Sequence, residues 1–145
     1  MRAEHDPPVD PLPSATLVLM RDGTSGLEVL LLRRTLHAAF APGAYVFPGG
    51  RVDVGDCAAD AVARVDGMTT ERAATRLGLT AAYPPAIAYY VAAVREAFEE
   101  TGILIAFRSD GTRPPTAARD ARTELVRNDL LESRVEFSVA LARLE

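Results

Sequence analysis

The chain has 145 residues, 48% of them apolar and 25% charged, enough for one domain with a real core. Its net charge of −4 gives no electrostatic case for binding nucleic acid or an anionic membrane surface, and no apolar run approaches a membrane span. The single cysteine, Cys57, excludes an internal disulfide and a thiolate metal site, which fits a reducing compartment and a cytoplasmic protein.

Residues 1–14, with Pro7, Pro8, Pro11 and Pro13, read as an irregular lead-in without the apolar stretch of a signal peptide. Ala15 to Met20 and Leu27 to Leu32 are apolar runs of strand length. The turn signals Asp22-Gly23 and Ser25-Gly26 lie between them, which predicts an antiparallel hairpin. Arg33-Arg34 ends the second run. Guanidinium forks there suit a phosphate as a substrate-binding wall, and the plain alternative is a polar strand end. His37 lies in the following loop and is assigned no role. Ala44 to Phe47 predicts a short strand, broken by Pro48-Gly49-Gly50, where backbone can approach a ligand closely and a free carbonyl can face a cation. Asp53 and Asp56 follow. Thr69-Thr70-Glu71 caps a predicted helix to about Leu79.

A helix is predicted from Pro85 to Thr101, stopped by Gly102. Ile87, Val91, Val94 and Phe98 share one face. Glu96, Glu99 and Glu100, at i, i+3 and i+4, share the opposite one, with Arg95 a turn before Glu99. Three like charges on one face repel each other. A hard divalent cation such as Mg2+ or Mn2+ relieves that, because carboxylate oxygens are its preferred donors. A solvated acidic face is the alternative. Ile103 to Ile105 reads as a strand. After a polar loop, Thr116 caps a charged helix to about Ser133, and Arg134 to Glu145 forms another with Phe137, Leu141 and Leu144 on its apolar side.

These residues resemble the Nudix box, Gly-x5-Glu-x7-Arg-Glu-U-x-Glu-Glu-x-Gly-U, with U a bulky apolar residue. Arg95-Glu96-Ala97-Phe98-Glu99-Glu100-Thr101-Gly102-Ile103 fits its second half, and Gly50 with Asp56 its first, Asp standing for the usual Glu. Between Asp56 and Arg95 lie 38 residues where the pattern has seven. That interruption, with Leu30 to Arg34 and Ala44 to Gly50, is similar to the coenzyme A diphosphatase-like subgroup. In a related coenzyme A signature a second arginine stands four residues before the loop glycine. Counted from Gly43, that position is Ala39.

The resemblance implies an α/β fold, a Nudix-type α/β/α sandwich with a mixed sheet, spanning residues 15–145 with residues 57–84 as a helical insertion. It implies Mg2+- or Mn2+-dependent hydrolysis of a nucleoside diphosphate linked to another group, with coenzyme A or an acyl derivative as leading substrate. A non-catalytic nucleotide-binding module is the alternative. The metal would be held by Glu96, Glu99, Glu100 and the Gly49 carbonyl. Glu96 and Glu99 are the candidate catalytic bases, Arg95 orients Glu99, and Arg33 and Arg34 bind substrate. Past Leu104 only two charged helices are expected, so the sheet would lack C-terminal strands. Exposed apolar surface and self-association would follow. The insertion is expected to loop out as a small helical cap that tunes specificity.

Overall fold

The computed structural model describes residues 10–37, 41–80, 83–108, 110–112 and 120–144. Among these described residues six short strands come first: β1 (Ser14–Thr16), β2 (Met20–Gly23), β3 (Gly26–Val29), β4 (Leu32–Arg33), β5 (Tyr45–Val46) and β6 (Gly49–Arg51). They pair antiparallel as β1 with β6, β2 with β3 and β4 with β5. The pairings run into one another along the chain. The amide of Leu17 donates to Pro48 O and that of Leu30 to Leu19 O, each at 2.9 Å, carrying the ladders past the strand ends.

Around these strands two details refine the sequence expectation. The hairpin turn is only Thr24-Ser25, because β2 and β3 run up to Gly23 and Gly26, and Gly26 takes a φ of 122° that side chains disfavour. The strand before Pro48 does end, at Val46, but Gly49 and Gly50 are not a turn, since they lie within β6 opposite Thr16 and Ala15. A Cβ on Gly49 would run into the Ala15 carbonyl and come within 2.8 Å of Thr16 Cα, so glycine is what lets these strands approach.

Five helices follow: α1 (Ala59–Val62), α2 (Thr70–Leu77), α3 (Ala86–Thr101), α4 (Ala121–Leu131) and α5 (Phe137–Ala142). α2 is capped by the Thr69 hydroxyl, which accepts from Arg72 N, and α3 ends at Gly102 with φ 75°, its amide donating to Phe98 O at 2.8 Å. Asp120 caps α4. The expected cap Thr116 lies outside the described residues. Ile103 to Ile105 forms no strand, although Leu104 still packs on the core.

The core gathers around α3. Val91 and Phe98 pack with Ala61 of α1, Val126 and Leu130 of α4, and Phe137 and Ala140 of α5. Ile87 and Ala86 pack with Ala73 of α2. Ala88, Ala92 and Ala97 are also fully buried, so α3 is covered around most of its circumference rather than along one stripe. Among the described residues no helix is long and apolar enough to cross a membrane.

Candidate metal and diphosphate site

Arg95 lies on the inner side of α3, where a charge needs partners. It is 7% exposed, and beneath it Asp56, in a 3-10 turn over Gly55–Cys57, is 1% exposed. The pair is bidentate: Arg95 Nε donates to Asp56 Oδ1 at 2.8 Å and Nη2 to Oδ2 at 2.9 Å. Nη2 also donates to the Arg51 carbonyl at 2.9 Å, and Nη1 to Glu96 Oε1 and Glu99 Oε1, each at 3.1 Å. All five N–H donors of the guanidinium are thereby used. Burial alone would make Arg95 easier to deprotonate, but its bonds to Asp56 and the charges of Asp56, Glu99 and Glu96 outweigh this and hold it above the ordinary arginine range. Asp56 Oδ2 accepts a further bond from Asp53 N at 2.8 Å, which closes the turn over the arginine.

The carboxylates stand above this base. Burial raises the pKa of Glu96, Arg95 opposes the shift, and the charges of Glu99 and Glu100 add to it. A Cβ on Gly50 would run into the Glu96 carboxylate, so β6 and Glu96 are in direct contact only because residue 50 has no side chain. Glu100 reaches the same strand from the next turn, its Oε2 accepting from Gly49 N at 3.0 Å. What the structure shows of Gly49 is therefore its N–H toward Glu100.

Arg95, Glu96, Glu99, Glu100, Gly49 and Gly50 form one contiguous patch. Arg33, at the end of β4, and Arg34, just past it, belong to a different strand pair. Arg33 pairs with Tyr45 across β4 and β5 and is exposed, and Arg34 N donates to Ala44 O. Arg34 Nε is buried and has no hydrogen-bond partner. No hydrogen bond or ion pair joins either arginine to the carboxylates among the described residues.

The donor set suits a hard divalent ion in kind, being carboxylate oxygens beside strand backbone. The three carboxylates are not drawn to one point, however. Among the described residues no three acidic, histidine or cysteine side chains form a ready cage. Arg95 takes one oxygen each from Glu96 and Glu99, and Gly49 one from Glu100. The other carboxylate oxygen of each glutamate lies outside these bonds, and glutamate side chains reorient by simple rotation. Burial is the main cause that raises the Glu96 pKa, with the charges of Glu99 and Glu100 adding to it, and a cation beside the carboxylate would favour the ionised form instead. The residues fit such an ion, and Glu96, Glu99 and Glu100 are the ones that would hold it.

Sequence reasoning left the role of Asp56 open. Its position in the box pattern was the available signal, and the pairing partner was not visible because Arg95 is 39 residues away.

A family model described as the NUDT19 Nudix domain matches residues 12–138. The chain is similar to proteins named acyl-coenzyme A diphosphatase NUDT19. The Xenopus laevis protein is 31% identical over 102 residues, 59% of this chain and 27% of that protein. The Homo sapiens protein is 33% identical over 103 residues, 55% of this chain and 27% of that protein. The match thus spans about a quarter of the length of these curated relatives. The crystal structure of a NUDIX hydrolase from Alicyclobacillus acidocaldarius superposes with a TM-score of 0.69 at 32% identity, over 92% of this chain and 54% of that one. The family match runs from before β1 into α5 and takes in every residue of the acidic patch, so the chain belongs to the Nudix family, with the α/β fold of the NUDT19 Nudix domain.

Proposed function

We propose that this chain supplies the catalytic core of a metal-dependent diphosphatase acting on a nucleoside diphosphate derivative, with coenzyme A or its acyl esters as the leading substrate class. The observation that carries the reading is the Arg95 network, which draws Glu96 and Glu99 to a single guanidinium nitrogen beside the glycines of β6. A bound Mg2+ or Mn2+ would neutralise diphosphate oxygens and lower the pKa of a water bound to it. Glu96, Glu99 and Glu100 would hold the ion, with the Gly49 carbonyl as a further oxygen donor. Arg95 orients Glu96 and Glu99 from below. Either of those two carboxylates accepts the proton of the attacking water. The unpaired Nε of Arg34 leaves a guanidinium with donor capacity for a phosphate, and Arg33, the neighbouring residue at the end of β4, adds a second positive charge. The names of the relatives, acyl-coenzyme A diphosphatases, support the coenzyme A assignment.

A second reading is a nucleotide-binding module without hydrolysis. It is favoured by one observation, that protein donors already occupy an oxygen on each of the three glutamates. One experiment separates the two. The protein is incubated with Mg2+ and, in turn, coenzyme A, an acyl-coenzyme A, ADP-ribose, a nucleotide sugar and NADH, and phosphorylated products are followed by chromatography. Metal-dependent product from the coenzyme A compounds is expected. Saturable binding with no product from any of them overturns the hydrolase reading in favour of the second.

A further inference from the structure

α3 carries its acidic residues where a helix least favours them. Glu99 and Glu100 lie in the last turn, beside the partial negative charge of the unpaired carbonyls. That turn reads Phe98-Glu99-Glu100-Thr101 and has no basic residue of its own. Its cation comes from α4. Arg127 Nε donates to the Glu99 carbonyl at 2.8 Å and shares the Phe98 carbonyl at 3.2 Å, alongside the amide of Gly102.

The clamp is held from both sides. Its neighbour Val126, and Leu130 one turn further on, fix α4 against Phe98 in the core. Glu124 Oε2 lies 3.5 Å from Arg127 Nη1. A Cβ on Gly102 would sit 3.6 Å from Glu124 Oε1 and 3.8 Å from Arg127 Cδ, so the helix stop packs directly on the clamp. The Arg127 side chain is 22% exposed, which shields these bonds in part from water.

We propose that Arg127 is a positioning residue for the metal site, fixing from behind the backbone from which the Glu99 and Glu100 carboxylates project. The inference rests on the reading of those glutamates as ligands. Residues that hold ligands in place set affinity almost as strongly as the ligands do, because a loose ligand must be ordered when the ion binds. Arg127 touches neither the ion nor the substrate, and its effect passes through the main chain of Glu99.

The test uses the full chain and Mn2+ alone, with Mn2+ affinity read by electron paramagnetic resonance and amide hydrogen exchange read in the metal-free protein. Arg127→Met keeps the stem and removes the donors. Its Mn2+ affinity is expected to fall about tenfold, and amides at the end of α3 are expected to exchange faster than in the parent. Arg127→Lys keeps a charge and one reachable donor, and is expected to recover most of that affinity. Glu100→Gln serves as the reference for a lost ligand. Parental Mn2+ affinity in Arg127→Met, with Glu100→Gln weakened, overturns the positioning role alone. Parental affinity in both variants overturns the metal reading beneath it. Failure of both Arg127 variants to fold makes the residue a requirement of the core and also overturns the proposal.

Discussion

Arg95 divides one guanidinium between structure and site. Its Nε and Nη2 edge faces Asp56 and the Arg51 carbonyl, and its Nη1 faces the glutamates. Removing one partner of a buried pair leaves the other charge without compensation. Asp56→Asn is therefore expected to destabilise the protein by about 3–5 kcal/mol, nearer the lower figure because Glu96 and Glu99 remain on Arg95. Asp53 approaches the same arginine at 3.6 Å but its side chain is 67% exposed. Asp53→Asn is expected to cost no more than about 1 kcal/mol. Urea unfolding of the two variants checks the contrast, and equal losses would mean that Asp56 does not carry the pair. The two glycines of β6 make a second contrast. A methyl on Gly49 meets backbone and cannot be relieved locally, so Gly49→Ala is expected to lower Tm markedly. A methyl on Gly50 meets the movable end of Glu96, so Gly50→Ala is expected to fold and to lose Mn2+ affinity. Calorimetry and a metal titration on the same samples decide between these outcomes.

At the scale of elements, residues 58–74 form part of the packed interior. Ala61 of α1 and Ala73 of α2 are fully buried against α3, and Val62, Val65 and Met68 pack beside them. Replacing the segment with a seven-residue linker would open both clusters. That variant is expected to lose its cooperative melt, and a linker variant that melts like the parent would show the segment to be a dispensable cap. A hydrogen bond also ties the segment to the last helix, with the Ser138 hydroxyl donating to Asp60 Oδ2 at 2.6 Å. That bond, chiefly, holds the Asp60 carboxyl below its ordinary range. A carboxylate with a depressed folded pKa adds stability above its unfolded pKa and loses it as pH falls through the folded value. The stability gap between the parent and Ser138→Ala is thus expected to be full at neutral pH and to close below about pH 4. A gap that persists unchanged into acid would assign the effect to Ser138 packing instead.

Across the whole molecule, the hairpin leaves an apolar face open. Antiparallel partners share a face, so Met20 and Val29 stand side by side with Leu27 on the outer surface of β2 and β3. Met20 is 62% and Leu27 66% exposed, and Val18 and Leu31 extend the exposed stripe along the same two chain segments. Exposed apolar surface of this kind favours association. The parent chain is expected to self-associate with rising concentration in sedimentation experiments. Leu27→Lys is expected to suppress this while changing stability by about 0.5 kcal/mol or less. Unchanged sedimentation in the Leu27→Lys variant would place the association elsewhere on the molecule.

The sequence by itself determined α3. Pro85 and Gly102 bound it, and the i, i+3, i+4 spacing set the glutamates on one side with Arg95 one turn from Glu99, because caps and helical periodicity act between residues a few positions apart. It did not reveal how much of α3 is buried, since alanine suits both a helix surface and a core, and Ala88, Ala92 and Ala97 carry no hydrophobic signal of their own. Strand positions were legible only approximately. The apolar runs identified the chain segments, but the pairing of β6 with β1 depends on the close approach of Gly49 to Ala15, which no local pattern encodes. Only the tertiary structure decided what lies beneath and behind the carboxylates. Asp56 reaches Arg95 across 39 positions, Gly49 reaches Glu100 across 51, and Arg127 reaches the Glu99 carbonyl across 28. Those bonds exist because helix packing and strand pairing bring distant donors and acceptors together, and at the buried Asp56–Arg95 pair an unpaired polar group would be costly.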